Sequence, residues 1–297
     1  MIEQKIDEEK YKTHLFHILK YFISFCEQHN LIYCCATGTM LGAVRHHGII
    51  PWDDDIDVFM PRKDYEQLLT IASNMEGDGF KVISAKNSPS FATFAKIYCR
   101  DTTLWEIESI PFVYGVYIDI FPLDETSISK AEFINKYRYF RNLFRKYQLS
   151  QMRCSLKRII AHIKEKDKKM AIKELFSIMF PTWLADYYRK KIIRFEADRS
   201  LERGDHLVSY YGDYWDREYF DKQWFESYID MPFSDFTVKV PSGYHEYLTN
   251  VYGDYMQFPP VDKRVSHHYH YYLNMDKSMT LNEVRKELKT SNNDGEV

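Results

Sequence analysis

The residues best placed to do chemistry form a short run, Asp53-Asp54-Asp55-Ile56-Asp57-Val58, followed much later by a single aspartate, Asp119, between Ile118 and Ile120. In an extended chain Asp55 and Asp57 point to one face while Ile56 and Val58 point to the other, into a core. Two carboxylates on one face repel, and a divalent cation relieves that repulsion; an all-oxygen set suits magnesium or manganese. A third carboxylate on a neighbouring strand would let two ions sit ~3.5–4 Å apart and clamp the attacking and leaving oxygens of a phosphoryl centre. Asp119 fits that place, which makes Asp55, Asp57 and Asp119 the expected catalytic and metal-binding set. A calcium loop needs alternate ligands around a glycine and a terminal glutamate, which DDDIDVFMPRKDYE lacks. The plainer readings are a solvated strand face for the run and a turn cap for Asp119.

These carboxylates need elements to hold them. Upstream, Leu31 to Ala36 suits a buried strand, Thr37-Gly38-Thr39 a tight turn, and Met40 to His46 a helix. A glycine there lets backbone approach a phosphate, and the following helix start aims unpaired N–H groups at it. Gly38 and Thr39 are therefore expected phosphate contacts, with Arg45 adding a bidentate one. A helix is expected before the turn, from the spacing of Leu15, Ile18, Leu19, Phe22 and Cys26. After it come a strand over Asp53 to Met60, a helix over Arg62 to Asn74, and strands at Phe80 to Ser84, Phe91 to Tyr98 and Val116 to Phe121. A Gly-Thr turn, then an acidic-apolar strand, then an apolar-Asp-apolar strand is the order found in the nucleotidyltransferase fold. The expected class is α+β, a mixed sheet core flanked by helices.

Composition supports a packed enzyme-sized core, with 45% apolar residues in 297. The longest apolar stretches are broken well before the ~20 residues a spanning helix needs, and the polar start, MIEQKIDEEKYK, lacks the apolar segment of a secretory signal; the expected location is cytoplasmic. Five cysteines without a CxxC pair argue against a cysteine-built zinc site. Net charge is only −3, but Lys130 to Ser200 holds nineteen Lys and Arg against seven Asp and Glu. That contrast divides the chain into a catalytic core over 1–125, a basic helical insertion over 126–205, a part over 206–288 that packs on the core and completes the site, and a disordered tail over 289–297.

The run from Gly38 to Leu68, GTMLGAVRHHGIIPWDDDIDVFMPRKDYEQL, resembles the signature of the LicD family, which includes bacterial phosphocholine transferases and is related to the fukutin group. YGVYIDIFPLD at Tyr114 to Asp124 and VPSGYHEYLTNVYGDYMQFPPVDKR at Val240 to Arg264 resemble its second and C-terminal blocks. The resemblance implies Mg2+- or Mn2+-dependent transfer of a substituted phosphate, such as phosphocholine from CDP-choline, to a hydroxyl of a cell-surface glycan or its precursor. It also implies that Asp55 and Asp57 are the metal pair and Asp119 the third carboxylate and, by analogy, the proton acceptor.

Other candidates are weaker on the residues alone. Lys263 and Arg264 are expected to add positive charge at a donor diphosphate, and His267, His268 and His270 could ligate a metal, although a further ligand is not evident. The Tyr- and Trp-rich stretches from Tyr210 to Tyr228 and Tyr244 to Tyr255 could cage a quaternary ammonium or simply build a core. The basic segment suits an anionic membrane surface or a lipid-linked glycan acceptor, ahead of nucleic acid, for which no dedicated motif is visible. Two other functions share the carboxylates: a nucleotidyltransferase releasing pyrophosphate, and an Asp-x-Asp glycosyltransferase, whose pair usually follows a longer nucleotide-binding domain.

Overall fold

The computed structural model describes residues 7–73, 79–88, 93–164, 166–199, 203–266 and 270–293. The chain opens with α1 (Glu8–Gln28), whose first turn is capped by Asp7 accepting the Lys10 N–H at 3.0 Å. Its stripe of Leu15, Ile18, Leu19, Phe22 and Cys26 is buried against the sheet, as the spacing predicts. Then come β1 (Cys34–Cys35), α2 (Thr37–His46), β2 (Asp57–Pro61), α3 (Arg62–Ala72), β3 (Phe80–Ile83), β4 (Ala95–Cys99), β5 (Thr103–Trp105) and β6 (Tyr117–Thr126).

β6 is the centre of a mixed sheet ordered β1-β2-β6-β4-β3. Its first half pairs parallel with β2 and antiparallel with β4. Its second half, Asp124–Thr126, turns to a different partner, β7 (His206–Val208), which in turn pairs with β8 (Tyr219–Asp221). Pro122 falls between the stretches paired with β4 and β7, where a residue without an N–H is tolerated. The sheet face is filled by Val58, Ile97, Ile118 and Ile120, each almost wholly buried.

Between the halves of the sheet the chain builds four helices: α4 (Lys130–Gln151), α5 (Leu156–Lys164), α6 (Lys168–Ser177) and α7 (Leu184–Arg199). α4 starts at a capping box, with Ser129 and Glu132 satisfying each other's N–H groups. Its buried face, Phe133, Tyr137, Phe140 and Leu143, meets Ile192 of α7 and Val208, Tyr210 and Tyr211 in a second core. Tyr210 thus serves packing. The C-terminal part adds the ribbon β9 (Tyr228–Phe233) and β10 (Phe236–Pro241), helix α8 (Tyr244–Tyr252), strand β11 (Tyr272–Asn274), which pairs with β5, and α9 (Leu281–Asn293).

Some expected bounds shift. The strand expected over 31–36 is confined to Cys34–Cys35, and the helix after it starts at Thr37, so Gly38 and Thr39 lie in its first turn. The strand expected from Asp53 starts at Asp57, because Asp53 closes a turn by donating its N–H to Ile50 O at 2.9 Å. The strand expected at Phe91 starts at Ala95, with Phe91 outside the described residues. Of the tail expected to be disordered over 289–297, residues 289–293 continue the last helix to Asn293, and 294–297 lie outside the described residues. The α9 start carries its own reciprocal cap between Thr280 and Glu283. No helix among the described residues is long and apolar enough to cross a membrane.

Candidate active site

The parallel register of β2 and β6 sets Asp57 beside Asp119 and Val58 beside Ile120. One step upstream, Asp119 donates its N–H to Ile56 O at 2.9 Å, so the alternation reaches back to Asp55 with Ile56 buried behind it. Asp55, Asp57 and Asp119 all line one open cleft of about 1310 Å³. That exceeds the ~300–1,000 Å³ of a typical small-ligand pocket, leaving room for two substrates.

α2 fixes Asp57 from the side. The Asp57 N–H donates to Thr39 Oγ1 at 2.8 Å, and the Thr37 hydroxyl donates to Asp57 Oδ2 at 2.5 Å. Thr37 holds a φ of 39°, costly for a β-branched residue, while its N–H donates to the Tyr247 hydroxyl of α8 at 3.3 Å. A Cβ on Gly38 would lie 2.7 Å from Asp53 Oδ2. The glycine therefore admits the chain's own carboxylate beside the positive end of α2. The tightest carboxylate group among the described residues is Asp53, Asp54 and Asp55, with oxygens within 4.8 Å of one another. Ser266 donates to Asp54, tying the C-terminal strap to this cluster.

Two charged residues that sequence reasoning passed over share the acidic wall. Lys96 on β4 is 3% exposed, and its Nζ lies 2.7 Å from Asp119 Oδ1 and 3.5 Å above the Tyr117 ring. Glu106 accepts from the hydroxyls of Tyr114 and Tyr117. Burial works to raise the Glu106 carboxyl, but Lys96, the two phenols and His270 together hold it below the usual carboxylate range. Tyr11 is pushed well up, by burial first and then by Asp54, Glu106, Asp55 and Asp119. A lysine inside the apolar stretch Phe94 to Cys99 was a visible signal for Lys96; nothing local marks Glu106.

The opposite wall is basic and helical. Arg138, Arg141 and Arg145 present one face of α4, and Arg158 of α5 and Lys173 of α6 join them. Arg141 is held by the Tyr211 carbonyl at 3.1 Å and by Asp213 at 2.5 Å, and Arg138 lies 5.1 Å from the Trp215 ring centre. Burial lowers the Lys173 ammonium. Between the walls lie Phe94, Phe121 and Tyr211, with ring centres 4.6 Å apart for Phe94 and Phe121 and 5.3 Å apart for Phe94 and Tyr211.

Arg45, Lys263 and Arg264 do not line the cleft. Arg45 lies in the last turn of α2, far from the helix start, and donates to the carbonyls of Tyr255 at 2.6 Å and Gln257 at 3.1 Å. Arg264 donates to Pro259 O at 2.8 Å and, like Arg45, packs on the Phe258 ring. Lys263 is exposed at the end of a short 3₁₀ turn. His267 and His268 lie outside the described residues; His270 packs on Tyr11. Among the described residues the oxygens that gather within 4.8 Å of one another belong to Asp53, Asp54 and Asp55, an all-carboxylate set that fits a hard divalent cation, while one oxygen of Asp119 is engaged by Lys96.

Residues 30–153 match the family described as LicD/FKTN/FKRP, nucleotidyltransferase domain. The chain is 29% identical over 257 residues, 85% of its length and 92% of the relative's, to the lipopolysaccharide cholinephosphotransferase LicD of Haemophilus influenzae. It is 28% identical over 131 residues to an uncharacterized protein of Rickettsia typhi, covering 44% of this chain and 41% of that one. To mannosyltransferase regulator 4 of Saccharomyces cerevisiae it is 25% identical over 138 residues, 44% of this chain and 11% of the yeast protein.

Proposed function

From the premise that residues 30–153 belong to the LicD family, we propose that this protein is a LicD-like phosphotransferase that moves phosphocholine or a similar substituted phosphate from a CDP-linked donor to a hydroxyl of a cell-surface glycan or its precursor. The observation that carries this reading is the two-walled cleft. Three carboxylates stand on a mixed sheet, Asp57 and Asp119 in a register set by β2 and β6, and share with a stripe of arginines a space large enough for donor and acceptor.

Asp55, Asp57 and Asp119 would hold Mg2+ or Mn2+, with Asp53 and Asp54 beside them. The bound cation would neutralise charge on the donor's diphosphate and polarise its P–O bonds. Lys96 supplies a fixed positive charge on the same wall, 2.7 Å from Asp119. Arg138, Arg141 and Arg145 suit the remaining phosphate oxygens, a role that the fork geometry of guanidinium fills well. The acceptor hydroxyl gives its proton to a carboxylate, Asp119 in this reading, as its oxygen attacks the phosphorus and CMP leaves. Most of the acceleration then comes from positioning and charge stabilisation. The aromatic surface of Phe94, Phe121 and Tyr211 suits a quaternary ammonium, each ring face contributing ~0.5–2 kcal/mol.

Product identity tests the proposal. The protein is offered CDP-choline, CDP-ethanolamine, CDP-glycerol, CDP-ribitol, nucleoside triphosphates and sugar nucleotides with Mg2+ or Mn2+ and a hydroxyl-bearing glycan acceptor. CMP from one CDP-linked donor is the expected result. Pyrophosphate from a triphosphate, or a nucleoside diphosphate from a sugar nucleotide, would replace the reading with nucleotidyl or glycosyl transfer.

A further inference from the structure

The outer face of the α5–α6 hairpin is apolar where a helix packed on a protein core would be polar. Leu156, Ile160 and Ile163 on α5, and Ile172, Phe176 and Met179 along α6 and just past its end, follow the spacing of a single helical face, yet all are exposed. What α6 buries instead is Ala171, Glu174 and Ser177. Trp183, 75% exposed, continues the apolar surface toward α7. Monomeric soluble proteins rarely leave so much contiguous apolar side chain in water.

The edges of this surface carry exposed Lys157, Lys164, Lys168 and Lys169. Apolar bulk rimmed by lysine is the pattern of a helix lying in the headgroup region of a bilayer, its apolar side in the acyl boundary and its ammonium groups among lipid phosphates. Lysine density also repels a second copy of the same face, whereas it complements an anionic surface. We propose that the α5–α6 face, extended by Trp183, docks this protein on a membrane surface containing anionic lipid. The same hairpin lends Arg158 and Lys173 to the cleft. Docking therefore holds the cleft at headgroup level, where a lipid-linked acceptor would be presented; that consequence rests on the proposed function, but the docking does not.

Co-sedimentation of the full chain with phosphatidylcholine vesicles, with and without phosphatidylglycerol, decides the matter without any turnover. Wild-type protein is expected to bind the anionic vesicles and to dissociate as salt is raised. A variant carrying Ile160→Glu, Phe176→Glu and Trp183→Glu, and a second carrying Lys157→Glu, Lys164→Glu and Lys168→Glu, should each bind at least ~10-fold more weakly. All six positions are on the surface, and circular dichroism checks each fold; if the apolar variant does not fold, the lysine variant and the salt titration decide. Absence of binding to anionic vesicles overturns the proposal, as does binding undiminished in the folded variants or equal on neutral vesicles. A wild-type dimer in sedimentation velocity that the apolar variant dissolves, with no vesicle binding, overturns it in favour of self-association.

Discussion

The two walls of the cleft are built by opposite means. On the acidic side short side chains leave strand positions fixed by backbone pairing, Asp57 and Asp119 by the β2–β6 register and Asp55 by its step from Ile56, and the Thr37 hydroxyl and the Lys96 ammonium then hold Asp57 and Asp119. On the basic side, long arginine and lysine side chains reach in from α4, α5 and α6, and their positions depend on side-chain partners such as Asp213 and Glu174. Paired interior strands hold such short side chains in narrow limits, the precision that metal coordination would need. Guanidinium groups on helices can follow a larger substrate. Under the proposed function, the sheet wall would set the rate of chemistry and the helical wall the binding of substrate.

The sharpest way to break this comparison is Asp57→Asn. It keeps the shape but removes a charge from the rigid wall, and CMP release should fall on the order of 10³-fold with little change in melting temperature; a KM effect alone would contradict the division. Next is the joint between the walls. Arg62 of α3 pairs with Asp124 of β6 at 2.6 Å and lies 3.7 Å from Glu196 of α7, all nearly buried. Asp124→Asn leaves the guanidinium without its principal counter-charge, and denaturant unfolding should show a loss of ~3–5 kcal/mol.

Smaller effects are expected on the helical wall. Arg145→Ala should raise the donor KM ~10- to 100-fold with kcat nearly unchanged, in proportion to one charge-assisted hydrogen bond of ~1.5–3 kcal/mol. Steady-state kinetics on both substrates measures it, and a kcat loss like that of Asp57→Asn would erase the distinction between the walls. Behind the same wall Glu218 is fully buried, and burial, with Asp213 adding, pushes its carboxyl up to about 8 despite the Tyr214 N–H and Arg141. Between the ordinary value of 4.5 and about 8 the folded chain holds this proton more tightly than the unfolded one, so the residue's contribution to stability falls as pH rises through that window. Glu218→Gln should flatten that decline and raise the melting temperature at the alkaline end, as read by thermal denaturation across pH.

The acidic wall was legible because strand alternation is a local property: Asp55, Ile56, Asp57 and Val58 announce their faces without any partner. Which strand Asp119 would join, and in what register, is a long-range pairing that no local pattern carries; Lys96 had a local mark, a lysine in an apolar strand, but not its partner, and Glu106, just after β5, had neither. Arg45 was expected at the phosphate because it follows the Gly-Thr turn closely in sequence, yet a ten-residue helix spans ~15 Å and carries its last turn away from its first. Arg138, Arg141 and Arg145 were readable as a helical stripe but were merged into the net charge of the basic segment. Gly38 was expected to admit a phosphate, and the group the structure places against it is the Asp53 carboxylate. The start of the last helix carried a signal as well, the Thr280–Glu283 cap, whereas nothing local marks how far past Lys289 it runs.

Manganese binding followed by its paramagnetic resonance signal tests the central claim most directly. Wild-type protein is expected to bind the ion, Asp57→Asn and Asp119→Asn each to lose that binding, and Arg141→Ala and Arg145→Ala to retain it. Binding that persists undiminished in both aspartate variants would contradict the claim, because the carboxylates on β2 and β6 would then not be the ones that hold the metal.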